Sequence, residues 1–293
     1  MNPQGDIREF LTSRRARLTP DKAGLPAYGG TRRVPGLRRE EVAMLAGVSV
    51  DYYNRLERGR ISGASDAVLE SLADALQLDE AERVHLFDLD RRSVGTSARR
   101  RSARPATIRP VVQQVLDAIT DAPAWVRNAR FDHLAHNQMA RALYSPALAD
   151  PRRPANSARF IYLDPAAQDF FVDWERAADD IAAMLRSEAG RHPHDQKLQD
   201  LIGELSTRSE DFRRRWAAHD VRFHRTGVKQ LHHPVVGEME LSFEAMTLSS
   251  DPDLTLLVYA AAPDTPSADA LRMLATWAAT EEAPAGDHGP TTR

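Results

Sequence analysis

Apolar positions recur at helical spacing through the first ninety residues. Between Asp6 and Leu18, Ile7, Phe10, Leu11 and Leu18 predict a first helix. Val42 and Ala46 share one face of a second, and Ala43 adds a small residue where another helix can pass closely. Gly47 suits the left-handed conformation of a helix C-cap. Ser49 can then cap a third helix, whose first turn carries Asp51. Within that helix Tyr53 and Leu56 point inward, whereas Val50, Asp51, Asn54, Arg55 and Arg58 follow one another around the opposite side, with Tyr52 at its margin. Ser65 precedes a stripe of Val68, Leu69, Leu72, Ala73 and Leu76, and Asp79–Leu89 carries Ala81, Val84, Leu86 and Phe87. Five helices are predicted in all.

After a Ser-, Thr- and Arg-rich stretch from Arg91 to Pro110 the pattern changes. Val111, Val112, Val115, Leu116 and Ile119 predict a short amphipathic helix. Residues 124–128 and 131–136 predict two strands, and Asn137–Tyr144 a helix. Asp164-Pro165 opens a helical stretch with Phe170, Phe171 and Trp174, continued by Ile181, Met184 and Leu185 and then by Leu198, Leu201, Ile202 and Leu205. Ser209 caps a helix edged by Phe212 and Trp216. Val221–His232 predicts a strand and Pro234–Gly237 a turn. Met239, Leu241, Phe243 and Ala245 then alternate with Glu238, Glu240, Ser242 and Glu244. Leu254, Leu256, Val258 and Ala260 form a further strand, and Ser267 caps a last helix with Leu271, Leu274 and Trp277.

The segment from Arg38 to Arg60 has the order of a helix-turn-helix, whose second helix enters the DNA major groove. The outward residues Ser49, Val50, Asp51, Tyr52, Asn54, Arg55, Arg58 and Arg60 are therefore candidate DNA contacts. Arg55 and Asn54 are side-chain types that read guanine and adenine edges, and Asp51, four residues before Arg55, can hold its guanidinium. Arg32, Arg33, Arg38 and Arg39 are candidate phosphate contacts, the last two at a helix start whose N–H groups also face anions.

Val42-Ala43 through Gly47-Val48-Ser49 to Arg55-Leu56-Glu57-Arg58-Gly59 resembles the phage-repressor (XRE-type) helix-turn-helix family. More narrowly, Val34–Tyr53 resembles the actinobacterial MmyB-type regulators, and the likeness extends through residues 232–238 to Leu271–Trp277. The resemblance implies a five-helix, λ-repressor-like DNA-binding domain followed by an α+β, PAS-like ligand-binding domain. The latter comprises a five-stranded antiparallel sheet interrupted by a helical insertion. The implied division is 1–90 for the DNA-binding domain, 91–110 for a basic linker, 111–280 for the ligand-binding domain and 281–293 for a disordered tail. Because MmyB-type regulators are associated with long-chain fatty acid, the resemblance also implies a small apolar ligand.

Composition narrows the reading further. With 293 residues, 42% hydrophobic and 28% charged, the chain has room for two domains of ordinary globular composition. It has no cysteine, which removes disulfides, thiolate metal sites and cysteine nucleophiles. No apolar run reaches the roughly 20 residues of a membrane span, and no secretory segment opens the chain, so a cytoplasmic protein without a membrane partner is expected. The net charge of −3 conceals an asymmetry. Through Arg109 there are 20 Lys/Arg against 15 Asp/Glu, and beyond it 19 against 27, which suits a DNA-binding head on an acidic second domain.

Ten histidines include His133 with His136, His192 with His194 and the adjacent His232-His233, none at convincing ligand spacing, so no metal is expected. There is no nucleophile elbow, phosphate loop or dinucleotide fingerprint, and neither catalysis nor a cofactor is expected beyond a bound fatty acid or similar molecule. Trp125, Phe131, Trp174, Phe212, Trp216, Phe223 and Phe243 are candidate pocket walls, or simple core. Arg213, Arg222 and His219 are candidates to face a carboxylate. The expected partners are a double-stranded DNA operator, a small apolar ligand and a second copy of the chain. Two alternatives stand beside this: a second domain that serves only as a dimerisation or protein-interaction scaffold, and a helical adaptor that does not bind DNA.

Overall fold

The computed structural model describes residues 3–26, 34–93, 108–149, 155–218, 220 and 225–281. Five helices open the chain: α1 (Pro3–Arg17), α2 (Arg39–Leu45), α3 (Val50–Glu57), α4 (Asp66–Ala75) and α5 (Glu80–Ser93). Their inward faces supply one core, in which Ile7, Phe10, Leu11, Leu37, Val42, Tyr53, Leu56, Leu69, Leu72, Leu86 and Leu89 are all but inaccessible. Ser65 caps α4 by accepting from Val68 N–H. Val84, expected on the inward stripe of α5, is exposed instead, because Leu86 and Leu89 set the buried face.

The chain then forms α6 (Pro110–Ala118), β1 (Ala124–Asn128), β2 (His133–His136), α7 (Gln138–Leu143), α8 (Ser145–Leu148), α9 (Ser157–Leu163) and α10 (Ala166–Phe170). It continues as α11 (Trp174–Arg191), α12 (Gln196–Arg208), α13 (Glu210–Ala217), β3 (Thr226–His233), β4 (Gly237–Leu248), β5 (Asp251–Ala260) and α14 (Pro266–Glu281). The five strands make one antiparallel sheet in the order β2-β1-β5-β4-β3. The architecture is thus all-α followed by α+β, with two strands before the helical insertion and three after it.

The sheet is covered on both sides at β1 and the start of β5, which explains why β5 shows no clean alternation, whereas one row of β4 stays exposed. Val112 and Leu116 of α6 pack on Ala124, Val126, Ala135 and Leu254. The side carrying Trp125, Phe243, Leu257 and Tyr259 is buried as well, where the Tyr144 ring meets Trp125 at 5.6 Å and Phe170 at 5.7 Å. Val111 and Val115 of α6 are about half exposed, so its apolar stripe is narrower than the sequence suggests.

Several local expectations change. The stretch from Phe170 to Trp174 is not one helix: α10 ends at Phe170, Phe171 bridges to Leu231, and α11 begins at Trp174. Ser267 does not cap α14. Its hydroxyl accepts from Glu240 N–H at 2.9 Å, and the Thr265 hydroxyl accepts from Ala268 N–H instead.

Two compact units result, and they do not follow chain order. One contains residues 1–102 with 182–223, the other 103–181 with 224–293, so α11 is divided between them. Within the first unit, Asp220 pairs with Arg14 at 3.2 Å and Arg17 at 3.4 Å, and Glu82 pairs with Arg14 at 3.1 Å. Arg186 stacks over Trp216, 4.0 Å from the ring centre, and donates to its carbonyl. Burial lowers the Arg186 pKa to about 10, against the opposing pull of Asp6 and Glu9 on α1.

Candidate DNA-reading surface and ligand-domain core

The turn between α2 and α3 is built from backbone chemistry. Gly47, at φ +65°, donates to Met44 C=O at 3.2 Å, and Val48 donates to Ala43 C=O at 3.0 Å. This pair of bonds closes the helix end around a left-handed residue. Ser49 Oγ then accepts from Tyr52 N–H at 3.1 Å and starts α3. At the start of α2 the Glu41 carboxylate accepts the Arg38 N–H at 2.6 Å.

Tyr53 and Leu56 hold α3 in the core, leaving the other side outward. Ser49, Val50, Asp51, Arg55, Arg58 and Arg60 are exposed, Tyr52 and Asn54 half-buried, and Arg38 is exposed at the entry to α2. The Arg55 guanidinium lies over the Tyr52 ring, 4.8 Å from its centre. Among the described residues no ion pair joins it to Asp51, so the aromatic neighbour holds the arginine rather than the acid. Arg32 and Arg33 lie outside the described residues.

Arg39, expected to meet phosphate, pairs with the carboxylate of Glu57 at the end of α3. Glu57 is 2% exposed and also accepts from Arg15 Nε and Nη2 at 2.9 and 2.7 Å and from Thr12 at 3.2 Å. Arg15 Nη1 continues to Leu37 C=O at 2.9 Å. One carboxylate thus fastens α1, α2 and α3 beneath the outward face. Burial by itself raises the Glu57 pKa, but the bonds from Arg39 and Arg15 outweigh it and hold the carboxyl below its ordinary value. The signal in the sequence is that Glu57 stands four residues after Tyr53, on the inward side, where a charge requires a partner.

In the second unit, Trp125, Phe131 and Phe243 are buried, Trp125 and Phe243 on the sheet side that faces Tyr144, and Trp174 is half-buried with its indole donating to Ile161 C=O at 3.0 Å. Phe131 takes φ +64°, with the Arg127 guanidinium 4.2 Å over its ring. Phe212 and Trp216 stack at 5.4 Å in the first unit, and exposed Arg213 donates to Ser206 C=O there. His219, Arg222 and Phe223 lie outside the described residues.

The structure adds a polar group among these aromatics. A bulge between Val126 and Arg127 shifts the register of β1 on β2, so that His136 opposes Trp125 and His133 opposes Arg127. Residues three apart would ordinarily face opposite sides; the bulge brings these two to one side. Their ring nitrogens lie 3.0 Å apart, His133 Nε2 lies 2.8 Å from Ser157 Oγ, and His133 stacks on Trp125 at 3.9 Å. Among the described residues no set of three His, Asp or Glu side chains converges as metal ligands.

Burial, with His136 and Arg127 nearby, lowers the His133 pKa well below its usual value, and burial with Arg141 lowers that of His136 to about 4. Both rings are neutral at pH 7. A folded pKa below the unfolded value of roughly 6.5 means full stability above that pH and progressive loss on descent toward about 4. The urea midpoint of the wild type is therefore expected to fall between pH 7 and pH 5. That of His136→Gln should fall less. Equal pH dependence in the two proteins contradicts the assignment.

A five-helix head with an outward third helix, followed by an α+β domain with a five-stranded antiparallel sheet, is the architecture of a DNA-binding transcription regulator with a ligand-binding domain. The family comparisons agree. Residues 6–86 match the helix-turn-helix domain and residues 108–274 the MmyB-like transcription regulator ligand binding domain. The chain belongs to the MmyB-like transcription regulators by that second match, which covers more than half its length. A search of curated proteins gave no match.

Proposed function

We propose that this chain is a one-component, XRE-type regulator of the actinobacterial MmyB kind. In this reading α3 recognises an operator, and a small apolar molecule such as a long-chain fatty acid acts on its operator affinity. The protein works in the cytoplasm without catalysis, as a homodimer on half-sites one helical turn apart, roughly 34 Å. The observation that carries the DNA reading is the outward face of α3, with Arg55 stacked on Tyr52 beside Asn54 and Arg58. A guanidinium held by a ring enters the groove with part of its freedom already removed. Support for the ligand half comes from the match of residues 108–274 to a ligand binding domain, whose sheet carries buried apolar side chains on both sides of β1. Ligand control further requires unequal ligand affinity in the two operator-binding states.

The test is binding of the purified chain to DNA from upstream of its own gene and to scrambled DNA at fixed salt. Arg55→Ala is expected to lose about 5- to 150-fold in specific affinity, the range for one bidentate base contact. Arg38→Ala should weaken both DNAs alike and reduce the salt slope by about one. If Arg55→Ala retained wild-type discrimination, α3 would not be the reading element.

A further inference from the structure

The outward face of α3 carries one side chain that neither hydrogen bonding to bases nor phosphate contact explains. Val50 is the first residue of α3, directly after the Ser49 cap, and is 38% exposed. On either side of it in the chain, Val48 and Tyr52 pack against the core of the head. Its neighbours on the outward face are polar or charged: Asp51, Asn54, Arg55 and Arg58. Val50 therefore contributes little to the buried core, and a β-branched residue there forms helix less readily than alanine.

A single apolar side chain on an ordinary surface needs no explanation. This one stands at the N-terminal end of the helix read as entering the groove, and it is that end which meets base edges. In the major groove those edges present donors and acceptors, with one apolar exception, the C5-methyl group of thymine. The local structure also fixes the valine in advance. Ser49 Oγ accepts from Tyr52 N–H at 3.1 Å, Ser49 C=O accepts from Tyr53 N–H at 3.0 Å, and Tyr53 is fully buried. The backbone that carries Val50 is thus tied to the core, and branching at Cβ restricts its χ1. Its methyl groups have little freedom left to lose on meeting a partner.

We propose that Val50 reads a thymine through its C5-methyl group and so sets the specificity of the operator at one position in each half-site. This rests on the reading of α3 as the recognition helix, and adds a base selected by apolar contact to those met by hydrogen bonds. Val50 and Arg55 are five residues apart, about 7.5 Å along the helix axis. With α3 lying along the groove, at roughly 3.4 Å per base pair, the thymine is about two base pairs from the base that Arg55 meets.

The experiment uses the full chain and DNA from upstream of its own gene, with the bound site located by footprinting. Each thymine of the site is replaced in turn by deoxyuridine, which keeps every hydrogen-bonding group and removes only the methyl. Affinities of wild type, Val50→Ala and Arg55→Ala are measured at one salt concentration. Val50 faces solvent and alanine favours helix, so Val50→Ala keeps its fold, as circular dichroism will show. At one thymine in each half-site, loss of the methyl is expected to weaken wild type about three- to fivefold, the worth of one buried methyl group. Val50→Ala should bind the unmodified site more weakly by at least a similar factor. It should be indifferent to deoxyuridine at that thymine and respond like wild type at the others. If no deoxyuridine weakens wild type, or if the same one weakens Val50→Ala equally, the inference is overturned, while lost discrimination in Arg55→Ala keeps α3 as the reading element. Discrimination retained by Arg55→Ala, or absent from wild type, would overturn the reading of α3 and the inference with it.

Discussion

Gly36→Ala is expected to destabilise the N-terminal unit by about 3 kcal/mol or more, at the upper end of overpacking effects. A Cβ at this position would lie within 2.6 Å of Ala16 Cα and the Arg15 carbonyl oxygen, and closer still to the Ala16 carbonyl oxygen. Those atoms are backbone and cannot swing aside as a side-chain tip can. The segment cannot easily withdraw either, because the next residue is fastened down. Leu37 N–H reaches Arg15 C=O at 3.1 Å and Leu18 C=O at 2.9 Å, and the Leu37 side chain is fully buried. The substitution therefore forces the entry to α2 away from the end of α1 and disturbs the helix that positions α3. Urea unfolding reads the loss, and operator affinity should fall with it. A midpoint equal to that of the wild type would show that the close approach is not required.

Glu57→Gln should be comparably severe. It removes the charge that compensates Arg15 and Arg39 under the recognition helix, and breaking one side of a buried ion pair typically costs about 3–5 kcal/mol. Arg39 reaches solvent, its side chain being 54% exposed, but Arg15, at 13%, has far less access to water. The pH dependence supplies a second signature. The Glu57 pKa is depressed in the folded protein, so its contribution is present above the unfolded value of roughly 4.3 and is lost as pH falls through the folded value. Glu57→Gln should lack that acid arm. Arg15→Met combined with Glu57→Met should recover part of the stability, because the pair is then replaced by apolar volume rather than broken. Full stability of Glu57→Gln at pH 7, with the acid arm unchanged, would show that the three helices are held by their apolar core alone.

The parts of this architecture that were legible in the sequence are those governed by local rules. Gly47 and Ser49 mark the turn because a left-handed residue and an N-cap each need a particular side chain, and the structure places both as expected. The alternation in β4 shows because one row of that strand, Glu238 to Glu244, is exposed while Met239, Leu241 and Phe243 are buried. In β5 both rows are covered, so Leu257 and Tyr259 are as much core as Leu254, and periodicity could not say which side faces what.

The rest depends on partners far along the chain. Glu57 looks like an ordinary helix-end charge until Arg15, 42 residues earlier, is seen to meet it. His133 and His136 look unrelated because the period of a strand is two, and only the bulge cancels that period. An amphipathic stripe states that a helix is buried, not against which neighbour. The apolar rows of α12 and α13 were for that reason legible as core, whereas their inclusion in the compact unit of the N-terminal helices was not.

The central claim is that one chain both reads DNA through α3 and responds to an apolar molecule. The most direct measurement is the affinity of the purified chain for DNA from upstream of its own gene relative to scrambled DNA, at fixed salt, with and without palmitate. The account predicts sequence-specific binding whose affinity changes when palmitate is added. Binding that falls with salt but does not distinguish the two DNAs, or specific binding that palmitate leaves unchanged while saturating the protein, would contradict it.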